Sequence, residues 1–240
     1  MRKAAPRKKT TAGKKPTIVF ERGAGFPHFR VVGVDEVGRG CLAGPVVAAA
    51  ALLPDDWDMP LGKLAKRLPE VALITDSKKM NEKNRDALAP WIRAHVKAFG
   101  IGHASVSEID RLNIYHASHL AMHRATEELG AFDHVLVDGN AVPKYYRGRG
   151  TAIIEGDLKC LSIACASILA KVYRDQWMRE LAVLHPGFGF EVHKGYGTPQ
   201  HQMALKTLGV SEIHRRSFAP VRLALGLVLP VGTAIELSGE

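Results

Sequence analysis

FRVVGVDEVGRG, residues 29–40, is the stretch from which the rest of this chain can be interpreted. Its centre, residues 31–34, is short, apolar and rich in valine, which is typical of a buried strand. Two acids, Asp35 and Glu36, follow directly. Carboxylates at the end of a buried strand are costly unless a metal ion or an arginine pairs with them. The stretch therefore predicts a strand that delivers acids to a functional site.

The loop after these acids is Gly38-Arg39-Gly40. Glycine leaves the backbone N–H groups uncovered, so that a ligand can approach the main chain. Consecutive strand residues point to opposite faces of a sheet, so Asp35 and Glu36 can share a site only where the strand ends or bulges. The glycines favour such a break. We therefore expect a metal site beside a phosphate or sugar site.

The same pattern recurs further along the chain, where the apolar residues 134–137 lead into Asp138 and Gly139. Further strands are predicted for residues 45–53 and 99–105, and a long helix for residues 161–184. Strands that alternate with helices indicate an α/β core, and the helical pattern after residue 200 indicates a C-terminal cap. The predicted short helices of this cap cover residues 200–208, 212–216 and 220–227.

A helix is also predicted for residues 82–98, with Asn81 as its N-cap. Pro90 falls inside this span and should kink or split the helix. On the longer predicted helix, Ser167, Lys171 and Asp175 follow one another at intervals of four residues and so share one face.

Asp35, Glu36, Asp138 and Asp175 are the candidate metal ligands. Taken singly, an acid before a glycine often only starts a turn, and an acid on a helix is often a surface charge. Two strand-end acid sites together with a polar helix face favour a shared site. Oxygen-only ligand sets suit Mg²⁺ or Mn²⁺, and two such ions can clamp a phosphoryl displacement.

The formal net charge of +9 is concentrated near the N-terminus. Residues 1–22 contain eight basic residues and one acid, a net charge of +7, which leaves +2 for the rest of the chain. Residues 1–28 lack apolar periodicity, so we predict a disordered basic tail there. Nonspecific attraction to phosphates and a solvated or targeting extension are both open interpretations of it.

The three cysteines form no CxxC motif, so neither a disulfide framework nor a zinc site is indicated. The sequence contains no apolar run long enough to cross a membrane and no apolar segment typical of a secretion signal. We therefore expect a cytoplasmic protein with no membrane partner. His119 and His123 have a spacing that suits zinc, but no third ligand accompanies them, so we interpret them as structural or surface residues.

Four spaced motifs together resemble the ribonuclease HII family. They are residues 35–40, Asp138-Gly139, the segment from Gly156 through Lys159 to Asp175, and Lys194-Gly195-Tyr196-Gly197-Thr198. The resemblance spans about residues 31–218 and implies an RNase H-like mixed sheet flanked by helices. It divides the chain into the tail, a catalytic core over residues 29–184, and a C-terminal region over residues 185–240 that contributes to substrate binding.

The resemblance also implies the activity, which is endonucleolytic cleavage of RNA in RNA–DNA hybrids and at single ribonucleotides embedded in duplex DNA. It places the four candidate acids in the catalytic metal site, with two Mn²⁺ or Mg²⁺ ions and products ending in 3′-hydroxyl and 5′-phosphate. Gly38, Arg39, Gly40 and Tyr196 would bind the ribonucleotide, and Lys159 the scissile phosphate. The protein is expected to be a monomer that acts on nucleic acid.

Two other functions fit the same residues. A nuclease that acts on DNA could use the same metal chemistry, and it would cut an all-DNA duplex as well as one that contains a ribonucleotide. A noncatalytic hybrid-binding protein would bind in the presence of a chelator and cut nothing.

Overall fold

The computed structural model describes residues 15–78 and 80–227. Its centre is a five-stranded mixed sheet in the order β3-β2-β1-β4-β5. The strands are β1 (Val31–Val37), β2 (Val46–Leu52), β3 (Ala98–Ala104), β4 (His134–Asp138) and β5 (Gly150–Ile153). The first three strands pair antiparallel, whereas β4 runs parallel to both β1 and β5. All four strands predicted from apolar runs are present.

Helices cover both faces of this sheet. They are α1 (Val19–Gly23), α2 (Leu61–Arg67), α3 (Glu82–His95), α4 (Val106–Leu112), α5 (Ile114–Glu127), α6 (Leu161–Leu184), α7 (Phe190–His193), α8 (Pro199–Leu208) and α9 (Ala219–Ala224). The long helix α6 packs against β1 and β2 on one face, and α5 packs against β1, β2 and β3 on the other. The predicted α/β fold with a helical C-terminal region is confirmed.

Alternation along the strands builds two cores. Val31 and Leu136 point towards α6, whereas Val32 and Val135 point towards α5. Small residues let the helices lie close to the sheet. A Cβ on Gly33 would come within 2.4 Å of the α6 backbone, so this face of β1 accepts no side chain there. This contact sets the short distance between α6 and β1.

Strand register brings two of the predicted acids together. Val34 of β1 lies opposite Val137 of β4 in the parallel pair. The next residues are Asp35 and Asp138. They are therefore neighbours on adjacent parallel strands, and both side chains lie on the sheet face covered by α6. The pairing of β1 with β2 continues regularly through Val37. The break expected after Asp35 is therefore absent, and the Glu36 side chain leaves β1 on the opposite face. It still lies near the other acids at the strand end, because its charge acts on Asp35 and it lines one space with Asp138, so a shared site does not require the break.

Two local predictions differ from the structure. Helix α3 runs from Glu82 to His95, so it ends three residues before the predicted end, and it is not split at Pro90. Proline removes the N–H that would bond the carbonyl of residue 86, and water can replace it because Asp86 is exposed. Residues 212–216 form turns rather than a helix, because their backbone pairs with residues 42–44 instead. The predicted cap by Asn81 is confirmed, since its side chain accepts a bond from the Asn84 N–H at 2.8 Å.

The N-terminal segment is structured well before residue 29. Thr17 pairs with Cys160 in an isolated bridge, and helix α1 follows. Glu21 is fully buried, and its Oε1 accepts hydrogen bonds from the backbone N–H and the hydroxyl of Ser162 at 2.8 and 2.7 Å. The predicted disordered tail therefore extends too far along the chain, because Glu21 covers the first turn of α6. Residues 1–14 of that prediction lie outside the described residues.

Over residues 15–78 and 80–227, the structure contains no helix with the length and apolarity needed to span a membrane.

Candidate active site

Asp35, at the end of β1, is the most perturbed carboxylate of the site. Burial raises its pKa well above the ordinary value, and the nearby charges of Glu36, Asp138 and Asp157 raise it further. A hydrogen bond from Ser167 on α6 acts in the opposite direction. A carboxylate in such surroundings gains strongly from a cation.

Glu36 and Asp157 share this electrostatic environment. Burial raises the pKa of Glu36, which Arg39 lowers and Asp138 raises. Burial also raises the pKa of Asp157, and the charge of Asp138 raises it again. We therefore define the acid cluster as Asp35, Glu36, Asp138 and Asp157.

Asp175 belongs to different surroundings. Its Oδ1 accepts a hydrogen bond from Lys171 Nζ at 2.7 Å, and Arg85 lies 3.8 Å from its Oδ2. It also lies eight residues beyond Ser167, which bonds Asp35, and that spacing corresponds to about 12 Å along a helix. The structure thus brings Asp157 close to Asp35, Glu36 and Asp138, and it pairs Asp175 with two cations.

Three acids of the cluster already accept hydrogen bonds or an ion pair from groups of the protein itself. Asp35 Oδ1 accepts the Glu36 N–H, and Asp138 Oδ1 accepts the Gly156 N–H, each at 2.7 Å. Arg39 lies 3.2 Å from Glu36 Oε1. In the described part of the chain, no three acid, histidine or cysteine side chains are already arranged to hold one ion. The chemistry of these donors nevertheless fits Mg²⁺ or Mn²⁺, because desolvated carboxylate oxygens that repel one another are the ligands such ions prefer.

A lysine lies beside the cluster. Burial lowers the pKa of Lys78, but the charges of Asp35, Asp157 and Asp138 raise it more, so the net shift is upward. Its loop is fixed by a 2.9 Å hydrogen bond between the hydroxyls of Ser77 and Ser167. No local sequence pattern marks Lys78 as part of the site, because only the fold brings this loop to the acids.

The two glycines of the loop after β1 have different surroundings. Gly38 has φ of +92°, and a Cβ there would lie 2.2 Å from Nε of Arg174. A Cβ on Gly40 would meet no atom within 4 Å. Arg39 is exposed apart from its ion pair with Glu36. Only Gly40 therefore presents backbone that is free of neighbouring side chains.

Arg174 and Arg215 stabilise the segment from Arg39 to Pro45 through hydrogen bonds to its backbone carbonyls. Both are fully buried. Arg174 donates hydrogen bonds to the carbonyls of Pro45, Lys194 and Ala43 at 2.9, 2.8 and 3.1 Å. Arg215 donates to the carbonyls of Gly44 and Arg39, both at 2.9 Å. Sequence reasoning missed both, because an arginine on a helix or in a turn ordinarily indicates an exposed charge.

Tyr196 lies next to the same loop. It pairs with Cys41 in an isolated bridge, and Lys171 Nζ lies 5.8 Å from its ring centroid. Burial, followed by the neighbouring Cys41, raises the pKa of Tyr196 to about 12. The phenol therefore remains protonated at neutral pH, and 38% of the residue surface is exposed to a ligand.

Lys159 does not point into the acid cluster. Its Nζ donates to the carbonyl of Ile154, and its own carbonyl accepts the Thr17 N–H at 3.0 Å. The residue thus joins the N-terminal segment to the turn before α6. The structure gives no support to the scissile-phosphate contact expected for it.

The profile of the family described as Ribonuclease HII matches residues 32–221 of the chain. Ribonuclease HII of Paracoccus denitrificans is 53% identical over 196 residues, which cover 81% of this chain and 87% of the relative. Ribonuclease HII of Myxococcus xanthus is 49% identical over 218 residues, which cover 90% of this chain and 68% of the relative.

Solved structures agree on the fold. Ribonuclease H2 from Pyrococcus horikoshii OT3 superposes with a TM-score of 0.63 at 24% identity, over 81% of this chain and 96% of that one. Bst-RNase HIII, solved in complex with Mn²⁺, superposes with a TM-score of 0.59 at 21% identity. The match covers 83% of this chain and 70% of that one. Because the profile covers most of the chain and relatives about half identical to it cover 81% and 90%, this chain belongs to the ribonuclease HII family, whose members are endonucleolytic hydrolases of RNA in RNA–DNA hybrids.

Proposed function

We propose that this ribonuclease H also cuts at single ribonucleotides embedded in duplex DNA, in a reaction that needs Mn²⁺ or Mg²⁺ and leaves 3′-hydroxyl and 5′-phosphate ends. The observation that carries the proposal is the placement of Asp35 and Asp138 at one level on neighbouring parallel strands, with Glu36 and Asp157 beside them. Such a cluster is suited to two divalent ions. Bst-RNase HIII, a relative in fold, was solved with Mn²⁺.

Asp35, Glu36, Asp138 and Asp157 would hold the ions, so Asp157 replaces Asp175 in the ligand set inferred from sequence. When bound, the ions would lower the pKa of a coordinated water and neutralise the departing 3′ oxygen. On the protein side, α6 covers one face of the cluster and Asp35 is buried, whereas Glu36 and Asp138 are half-buried and remain accessible to a substrate. Lys78 supplies a positive charge that can balance the acids or meet a substrate phosphate.

Recognition of the ribose would come from the loop after β1 and from the C-terminal region. Only the 2′-hydroxyl distinguishes RNA from DNA at one nucleotide. The backbone at Gly40 is open, and the protonated Tyr196 hydroxyl can donate. Arg39 can contact phosphate once it releases Glu36. Residues 185–227 would thus contribute to substrate binding through Tyr196, and the enzyme would work as a monomer because all these groups lie in one chain.

The test is cleavage of an end-labelled DNA duplex that contains one ribonucleotide, with and without chelator. Cleavage that depends on metal and leaves 3′-hydroxyl ends is the expected result, and the all-DNA duplex should stay intact. A 2′,3′-cyclic phosphate end would contradict metal-activated water as the nucleophile. Equal cutting of the all-DNA duplex would instead indicate a general DNA nuclease.

The matched variants are Asp138→Asn and Asp86→Asn. Asp86 is exposed on α3 and has no place in the acid cluster, so its variant should cleave at the wild-type rate. Asp138→Asn should lose at least about 100-fold in kcat while still binding the duplex. Full turnover by Asp138→Asn would refute the proposed ligand set.

A further inference from the structure

A groove leads away from the acid cluster along helix α5. Glu36, Arg39 and Asp138 line its first part, together with Tyr115 and His119. Tyr115 and His119 also line a second cavity of about 390 Å³, so the two spaces adjoin at these side chains. We call this second cavity the α5 groove and define it by Tyr115, His116, His119, Lys144 and Arg147.

The α5 groove has the opposite charge to the acid cluster. The charged side chains that line it are Lys144 and Arg147, both exposed. Within residues 15–78 and 80–227, neither forms an ion pair with an acid, and Lys144 Nζ lies 5.5 Å from the centroid of the Tyr145 ring. Two cations without acidic partners in one concave surface attract a polyanion.

The surroundings of His119 show the same positive field. Burial lowers the pKa of His119, and the charges of His116 and Arg39 lower it further. Its ring packs 4.3 Å from that of Tyr115, centroid to centroid. The rings of Tyr115 and His119 therefore line the groove together with the two cations.

The position of the groove limits what can occupy it. It is built from the first turns of α5 and from the segment that follows Asp138, at the same carboxyl ends of β1 and β4 that carry the acids. A strand whose phosphodiester lies at the acid cluster must leave in some direction. A duplex presents phosphates and sugars on its outside, and lysine and arginine are the residues that bind them.

We propose that the α5 groove binds the sugar–phosphate backbone of the cleaved strand on one side of the scissile linkage. Lys144 and Arg147 contact phosphates there, and Tyr115 packs against the sugars. This assignment rests on the proposed function, because the strand must first be anchored at the acid cluster. It adds a binding site that lies on the opposite face of β1 from Tyr196 and α6.

The experiment measures duplex binding as a function of salt for the Lys144→Gln/Arg147→Gln double variant, in an Asp138→Asn background that prevents cleavage. Each lost phosphate contact should reduce the slope of log K against log salt by about 0.9, so the double variant should lose roughly 1.8. In the active background, KM should rise on long duplexes. On duplexes trimmed on the side that occupies the groove, the double variant and the wild-type enzyme should have the same KM.

Two controls make the result specific. Lys63→Gln/Lys66→Gln removes the same charge from exposed positions on α2, outside the groove, and should keep the wild-type slope. Lys144→Arg/Arg147→Lys keeps both positive charges and should also keep the wild-type slope of log K against log salt. A slope for the double variant equal to that of the α2 control would overturn the proposal. Wild-type cleavage in the same assay tests the proposed function separately, so the two failures can be told apart.

Discussion

Nε2 of His201 lies 3.0 Å from Nε2 of His214, and both rings are fully buried beneath the Tyr196 loop. His214 Nδ1 receives the Ser211 N–H at 3.0 Å, so the proton of His214 must be on Nε2. His201 Nδ1 faces the carbonyl oxygen of Tyr196 at 2.9 Å and must donate to it. The chain of bonds is complete only when both rings are neutral, and it ends on the backbone of Tyr196.

This arrangement predicts loss of stability in acid. Burial, and then the charge of His201, lowers the pKa of His214 from 6.5 to about 4. The unfolded chain therefore binds more protons between these values, so stability is complete above pH 6.5 and falls as the pH drops towards 4. The shift corresponds to on the order of 3 kcal/mol.

The raised pKa values of the acid cluster act in the opposite direction over the same pH range, so the measurement is the difference in melting temperature between the wild type and His214→Gln, which should shrink from pH 7 to pH 4. His201→Gln keeps one donor and one acceptor and should keep Tyr196 in place, whereas His201→Leu should lower kcat/KM. If His201→Leu lowers kcat/KM equally in the presence and absence of Tyr196→Phe, the two residues act independently and the connection through the carbonyl is wrong.

The glycines of the loop after β1 should respond differently to alanine. Gly38→Ala should lower the melting temperature, because its Cβ would collide with Arg174 and its φ of +92° is unfavourable for alanine, at a cost of about 1–3 kcal/mol. Gly40→Ala should melt like the wild type yet lose about tenfold in kcat/KM on ribonucleotide substrates. Normal cleavage by Gly40→Ala would show that no ligand approaches the main chain there.

Replacing Asp35 should stabilise the metal-free protein. The folded-state pKa of Asp35 is raised by burial and by its acidic neighbours, so the wild type loses stability as the pH rises above 3.8. In chelator at pH 7, Asp35→Asn should melt about 3 °C or more above the wild type, since 1 kcal/mol corresponds to about 2–4 °C in a chain of this size.

Addition of Mn²⁺ should reverse this order. At 100 times its Kd a bound ion stabilises the folded wild type by about 2.7 kcal/mol, and Asp35→Asn should gain much less. Asp86→Asn serves as the surface control in both conditions. A wild-type melting temperature that stays constant across the Mn²⁺ titration would argue against a preformed acid cluster.

Asp157 and Asp175 should separate catalysis from stability. Asp157→Asn should lower kcat by about 100-fold or more without lowering the melting temperature in chelator. Asp175→Asn should mainly destabilise, by on the order of 1–3 kcal/mol, because Lys171 and Arg85 lose a buried charged partner. Parallel measurements of kcat and melting temperature on the two variants decide between the two ligand sets.

Much of the fold could be predicted from the sequence because valine runs and strand-end acids mark β1 and β4 directly. Helix α6 was predicted with its observed bounds because its apolar positions recur without interruption. Asp35, Glu36 and Asp138 share one strand-end pattern, and the structure brings them together. Asp157 also follows a strand and a glycine, so a signal for it was present in the sequence.

The remaining features depend on contacts between distant segments. Arg174 and Arg215 bind carbonyls more than 120 residues away in the chain, and no local pattern marks an arginine as buried. The histidines at 193, 201 and 214 have no regular spacing, because α7, α8 and a turn deliver them separately. Helix periodicity places Lys171 and Asp175 on one face, but only the structure shows that Arg85 of α3 also approaches Asp175.

The contact between Glu21 and Ser162 bears on where an active fragment can begin. Protease trimming or recombinant truncation at residue 29 would follow the motif-based boundary, but it would strip the first turn of α6 of the carboxylate that accepts its N–H. That helix carries Ser167, which bonds Asp35. We therefore expect the smallest independently stable nuclease to include the peptide from Thr17 onward, because a shorter fragment would leave the start of α6 without its buried partner.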